Sequence, residues 1–247
     1  LSIGSLDEAL RETHSPKKES IAIDELSPAK KRLVTEELIA NQIGMRQIKR
    51  ASKKHSAMPL TQHEMKERFI SKLPFELTES QKKVSSEIAS DMTLHQSMMR
   101  LLQGDVGSGK TVVAGLAMAI AEDSGFQSGL MAPTELLAEQ HKQNLDRWFG
   151  PLGVKTGLLK SKLKVPEKRV LKESIANGDC QIIIGRHALF QESIEYNNLS
   201  LVIVDEQHRF GVEQRFSLSN QAKRGGIVPH QLIMTATPIP RTLAMTA

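Results

Sequence analysis

The sequence predicts an α/β fold in which a mostly parallel sheet lies between helices, preceded by a helical segment. Three observations predict it. Short apolar runs recur from residue 98 onward (RLLQ, GLMA, KTGLL, QIIIG, LVIVD and QLIMTA). Helical patterns at 112–123, 134–148 and 166–177 fall between them, and Gly125, Gly150 and Gly178 stand just past those patterns, where a helix ends readily on glycine. Runs this continuously apolar lack the in-out alternation of a half-solvated strand. They suit strands buried on both faces, with any ligand at the carboxyl ends of the strands.

The elements upstream follow in order. Residues 1–27 mix serine, proline and charge around one short helical pattern from Leu6 to Arg11, and the stretch THSPKKES has the composition of a linker. Ser27 and Pro28 suit an N-cap and first turn, after which Leu33, Val34, Leu38, Ile39, Ile43 and Ile48 recur at helical spacing to about Ala51. The distal half of that helix, MRQIKRASKKH, carries Arg46, Lys49, Arg50, Lys53 and Lys54 without an acid, at intervals that stack them on one face. Such a stripe suits a phosphate backbone and equally a solvated helix face, because no aromatic residue interleaves to stack bases. Thr61 with Glu64 makes a capping-box pattern for a helix to about Lys72, closed by Pro74; Thr78 with Gln81 repeats it for a helix to about Met92. The expected organisation is a linker over 1–27, a helical linker with a basic face over 28–73, and the α/β lobe over 74–247.

Composition narrows the class. At 247 residues and 39% hydrophobic content the chain can bury a substantial core, and the excess of 33 Lys and Arg over 28 Asp and Glu permits a polyanionic partner. The single cysteine, Cys180, excludes an internal disulfide framework; it reads as a small core residue and suits a reducing compartment. No run of eighteen apolar residues and no charged-then-apolar leader is visible, so a membrane partner is not expected and a cytoplasmic location is. The chain opens on Leu1 and stops at Ala247 with a helical pattern barely begun, as a piece of a longer protein would.

The stretch Gly104, Asp105, Val106, Gly107, Ser108, Gly109, Lys110, Thr111 fits G-x-x-x-x-G-K-[ST], with a strand before it and a helix after it, the context that pattern requires. Glycines let backbone N–H groups close around phosphate oxygens, and the new helix adds its positive end. Lys110 is placed to reach the β and γ phosphates, and Thr111 to set its hydroxyl on Mg²⁺. A nucleoside triphosphate with Mg²⁺ is therefore the expected ligand. Hydrolysis needs an acid for the metal and a group for the attacking water. LVIVDEQHR offers both: Asp205 at the end of a buried strand to hold Mg²⁺, and Glu206 beside it as candidate base. Asp205, Glu206 and Lys110 are the expected catalytic residues.

With DEQH, GDVGSGKT, MAPTELLAEQH and TATPIPRTLAMT all in place, the chain resembles the superfamily-2 helicases, and closely the RecG-type ATP-dependent DNA translocases. KKRLVTEELIANQIGMRQIKR also looks like the segment that joins the DNA-binding wedge of RecG-type proteins to their motor. The resemblance implies a first RecA-like P-loop NTPase lobe fuelled by ATP, from a motor that acts on stalled replication forks and Holliday junctions in recombination and repair. It implies that Gln81 reads adenine, a role that competes with its capping-box spacing. It places Pro133, Thr134 and Glu135, and Gly185, Arg186 and His187, against the nucleic-acid backbone, where small residues, hydroxyls and helix N-termini suit phosphate. Arg186 stands where the family pattern has threonine. His208, Thr235 and Thr237 are expected to couple the γ-phosphate to the grip on DNA. The implied partners are branched or forked DNA, a second RecA-like lobe and a wedge domain, in a monomeric parent. Arginines on that second lobe stabilise transition-state charge in such motors, so the chain alone is expected to bind ATP and Mg²⁺ yet hydrolyse little. The rival readings are a transcription-repair coupling translocase, a P-loop kinase or switch, and a binding module that docks through its basic helix.

Overall fold

The structure is a computed structural model that describes residues 56–160, 163–186, 189, 194–205 and 227–236, with residues 7, 11, 31–36 and 39 upstream. It divides into two compact units, Leu1–Ala51 with Pro240–Ala247, and Ser52–Ile239. That division falls inside the 28–73 segment set apart by sequence. In the first unit residues 31–36 are helical, as their spacing predicts, with an Arg32–Glu36 ion pair one turn apart and the Thr35 hydroxyl donating to the Lys31 carbonyl at 2.7 Å. Arg46, Lys49, Arg50, Lys53 and Lys54 lie outside the described residues.

The second unit runs α1 (Glu64–Lys72), α2 (Glu79–Met92), β1 (Met99–Gln103), α3 (Lys110–Asp123), β2 (Gln127–Met131), α4 (Glu135–Phe149), a 3₁₀ turn (Gly150–Leu152), β3 (Thr156–Leu159), α5 (Val165–Asn177), β4 (Ile182–Gly185), β5 (Leu199–Asp205) and β6 (His230–Thr235). The six strands form one sheet in the order β1-β6-β5-β2-β4-β3, and every neighbouring pair is parallel. The predicted architecture is the one observed.

Period-two alternation along the strands splits the core into two layers. Leu102, Leu130, Ile182, Ile184, Leu201, Ile203, Leu232 and Met234 pack with α1, α2, α3 and α4 on one face. Met131, Leu159, Ile183, Val202 and Val204 pack with Ile175 of α5, Cys180 and Leu189 on the other. Burial pushes the Cys180 thiol up to about 11, which keeps it protonated and unreactive at neutral pH. Helix α3 is apolar all round because it is enclosed: ten consecutive residues, Val112 to Ala121, are buried. Its Gly115 admits α1 at close range. A Cβ there would lie 2.7 Å from Cζ of Phe69, whose ring also packs on Trp148 and Phe149 with centroids 5.9 and 4.7 Å away.

One local expectation fails for a physical reason. Thr61 and Glu64 do not form a capping box: the N-cap of α1 is His63 and no side chain of its own segment caps it. The Asp123 carboxylate at the end of α3 instead accepts from the Met65 N–H at 3.1 Å, so tertiary packing supplies the cap. Gly150 sits at the end of α4 but in right-handed conformation, with φ −54°, and continues into the 3₁₀ turn; the left-handed residue is Gly153, at φ 81°.

Candidate functional site

The loop between β1 and α3 owes its shape to its glycines. Gly107 and Gly109 take positive φ, 83° and 84°, a region that side chains disfavour. At Gly109 a Cβ would also meet Nε2 of Gln81 at 2.3 Å. Gly104 follows β1 directly, and its N–H donates to the Thr235 carbonyl at the end of β6 at 3.3 Å. Helix α3 then opens on Gly109 with no side-chain cap, which leaves the N–H groups of its first turn to point out of the helix end. Lys110 lays its ammonium across the loop, donating to the carbonyls of Gly104 at 2.6 Å and Asp105 at 2.9 Å. Val106 stands 90% exposed at the loop's tip.

Gln81 is both cap and brace. The Thr78 hydroxyl accepts from Gln81 N–H at 3.2 Å, and Oε1 of Gln81 accepts from Thr78 N–H at 2.9 Å, the complete capping box. The remaining end of the same amide, Nε2, donates to the Ser108 carbonyl at 3.0 Å. One side chain thus fixes the start of α2 and holds the loop where it turns toward α3.

Asp205 ends β5 at the same end of the sheet. Leu102 and Asp205 both register with Met234 of the intervening β6, so two strand spacings, about 10 Å, separate their backbones. Asp205 is 8% exposed, and its Oδ2 lies 2.7 Å from Nε2 of His141, itself buried on α4. Sequence reasoning passed over His141. It sits in the quoted AEQH, but its partner is 64 residues away and only the fold joins them.

Two other predicted stretches meet farther along the same edge. Thr134 is the N-cap of α4, its hydroxyl accepting from the Leu137 N–H at 3.2 Å, with Pro133 before it and Glu135 opening the helix. The Ala132 N–H donates to the Gly185 carbonyl at 2.9 Å, which sets this helix start beside the end of β4, where Arg186 is exposed. Thr235 ends β6 and is buried. Glu206, His187, His208 and Thr237 lie outside the described residues.

A doubly glycine-turned loop, an uncapped helix start, a lysine and a strand-end carboxylate at one end of a parallel sheet are what a polyphosphate site requires. Residues 78–246 match the DEAD/DEAH box helicase family model. The chain belongs to the DEAD/DEAH box helicase family. Among curated members, the chain is 51% identical to the ATP-dependent DNA helicase RecG of Haemophilus influenzae, over 98% of its own length and 36% of that protein's. With the Escherichia coli K12 protein of the same name it shares 49%, again over 98% and 36%. It therefore spans about a third of the length of the curated relatives it matches. Among solved structures, one described as RecG bound to a three-way DNA junction superposes with TM-score 0.73 at 41% identity, over 88% of the chain and 29% of the other. The yeast DEAD-box splicing factor Prp28, at 15% identity and TM-score 0.55 over 72% of the chain and 44% of its own, shares the fold.

Proposed function

We propose that the chain is the nucleotide-binding lobe of an ATP-driven DNA helicase whose parent protein acts on branched DNA. The observation that carries this reading is the convergence of the uncapped start of α3, the Lys110 ammonium and the Asp205 carboxylate at one end of the sheet. The fit to a Mg²⁺-bound triphosphate is chemical. Helix N–H groups and an ammonium suit phosphate oxygens, while the Thr111 hydroxyl and the Asp205 carboxylate are the oxygen donors that a hard cation takes. Bound there, Mg²⁺ would neutralise charge on the phosphates. Lys110 would exchange its bonds to the Gly104 and Asp105 carbonyls for phosphate oxygens, and Gln81 would keep the loop in register through its bond to the Ser108 carbonyl and is the residue proposed to read adenine. Glu206, next in sequence to Asp205, is the base for the attacking water. Pro133, Thr134, Glu135 and Arg186 form the edge offered to the DNA backbone.

Support for a parent that acts on branched DNA comes from its relatives, one of which is bound to a three-way DNA junction. An arginine of a second lobe is worth about 10³ to 10⁵ in rate in related NTPases, so the 247 residues alone should bind ATP and turn it over slowly. The test is a titration with a fluorescent ATP analogue and Mg²⁺. The chain should bind, and Lys110→Ala should weaken binding about 10- to 100-fold, as loss of a charge-assisted contact does. Equal affinity in the two proteins would overturn the assignment of the loop, and parent ATPase indifferent to forked DNA would overturn the helicase.

A further inference from the structure

We infer that His141 is a positioning residue for Asp205: its imidazole holds one carboxylate oxygen so that the other is presented to Mg²⁺ at the phosphate loop. This rests on the nucleotide reading above. The geometry is specific. Nε2 of His141 lies 2.7 Å from Oδ2 of Asp205, and both side chains are about nine-tenths buried. A carboxylate accepts and does not donate, so the contact is made with the hydrogen on Nε2. With Oδ2 committed, rotation of the Asp205 carboxylate would break a buried hydrogen bond, and Oδ1 becomes the oxygen left for a metal or its waters. Without the imidazole the carboxylate would be free to turn about its terminal bond, where side-chain wells are broad.

The support behind His141 is rigid. It projects from the middle of α4, a helix anchored by Ala138, Leu145, Trp148 and Phe149 in the core and capped at its start by Thr134. Asp205 is the last residue of a strand paired on both sides. Histidines and carboxylates that hold metal ligands from behind typically contribute 10- to 100-fold to metal affinity. The helix that supplies His141 is also the helix whose first turn lies on the edge proposed for DNA, so one rigid element touches both parts of the motor.

The experiment reads the Mg²⁺ midpoint for binding of a fluorescent ATP analogue in wild type, His141→Gln and His141→Asn. The amide of glutamine places its Nε2 where the imidazole Nε2 lies, whereas that of asparagine falls short, at the position of Nδ1. The asparagine variant should raise the midpoint about 10- to 100-fold and the glutamine variant should stay within about threefold of wild type, with equal analogue affinity in EDTA. Unchanged midpoints, or equal shifts in both variants, overturn the assignment. A measurement on the unaltered protein removes dependence on the variants' folding. The ¹⁵N resonances of the His141 ring should show hydrogen on Nε2 and should move when Mg²⁺ is added to the nucleotide-bound chain; a ring that does not respond overturns the assignment. If wild type binds no analogue with or without Mg²⁺, the nucleotide reading falls and this one with it; binding with a Mg²⁺ response indifferent to His141 removes this one alone.

Discussion

At the amino-terminal end of the sheet, Gln127 opens β2 with its side chain buried and every polar atom bonded. Nε2 donates to the carbonyls of Ile175 and Cys180 at 2.9 and 2.8 Å, and Oε1 accepts from the N–H groups of Asn197 and Asn198 at 2.9 and 3.2 Å. Nearby, His230 opens β6 fully buried, with Nδ1 accepting from Met98 N–H at 3.1 Å and Nε2 donating to the Met58 carbonyl at 2.9 Å. At the carboxyl-terminal end, α3 begins without a side-chain cap, Lys110 rests on backbone carbonyls of its own loop, and Val106 and Arg186 face solvent. The same polar vocabulary closes one end and leaves donors toward the outside at the other. Buried polar groups are costly when unmet, so the Gln127 amide and the His230 ring are satisfied internally at the amino end, although the buried hydroxyls of Ser128 and Ser200 there have no hydrogen-bond partner, while at the carboxyl end the start of α3 has no side-chain cap.

The sharpest way to break this contrast is Gln127→Leu. It deletes four hydrogen bonds at once, two to the carbonyls of buried Ile175 and Cys180 and two from the N–H groups of Asn197 and Asn198, so urea unfolding should show a loss of about 3 to 4 kcal/mol. Affinity for the ATP analogue at temperatures well below the melt should be unaffected. A loss under about 1 kcal/mol would show that the amino end is not closed by this amide.

Gly109→Ala acts on the opposite end with the opposite balance. A side chain at φ 84° costs about 1 to 2 kcal/mol, and the new Cβ displaces the Gln81 amide from the Ser108 carbonyl. Analogue affinity should fall by at least about tenfold, a larger proportional effect than on the fold. Wild-type affinity in this variant would mean that the brace from α2 does not shape the loop.

The smallest effect concerns acid. Desolvation lowers the pKa of His230 below its ordinary value near 6.5, against the opposing influence of its bond to Met58 and the charge of Asp91. The folded state therefore prefers the neutral ring. Its contribution to stability is complete above about pH 6.5 and is lost as pH falls through the folded-state pKa. Melting temperatures from pH 7.5 to 5 should decline more steeply in wild type than in His230→Gln, and parallel slopes would assign the acid sensitivity elsewhere.

What could be read beforehand divides along local and distant lines. The strands were visible because burial on both faces leaves uninterrupted apolar runs, such as LVIV before Asp205 and QLIM before Thr235. The glycine loop and the Thr78–Gln81 box were visible because their partners lie within a few residues. The Asp123 cap on α1, the Gln127 network and the His141–Asp205 pair were not, because each closes over 48 residues or more. Gln81 is intermediate: its bond to Thr78 is written in the spacing, and its bond to Ser108, 27 residues on, is a product of the fold.

Ser56 bridges both Gln96 and Ile227, and the Met58 carbonyl receives the His230 imidazole, so the strand of chain entering this unit is sewn to the foot of β6. Strand β6 runs between β1, which delivers the glycine loop, and β5, which delivers Asp205. A displacement of the chain at residue 56 therefore bears on the one strand that holds β1, with the glycine loop after it, and β5, with Asp205 at its end, in register with each other.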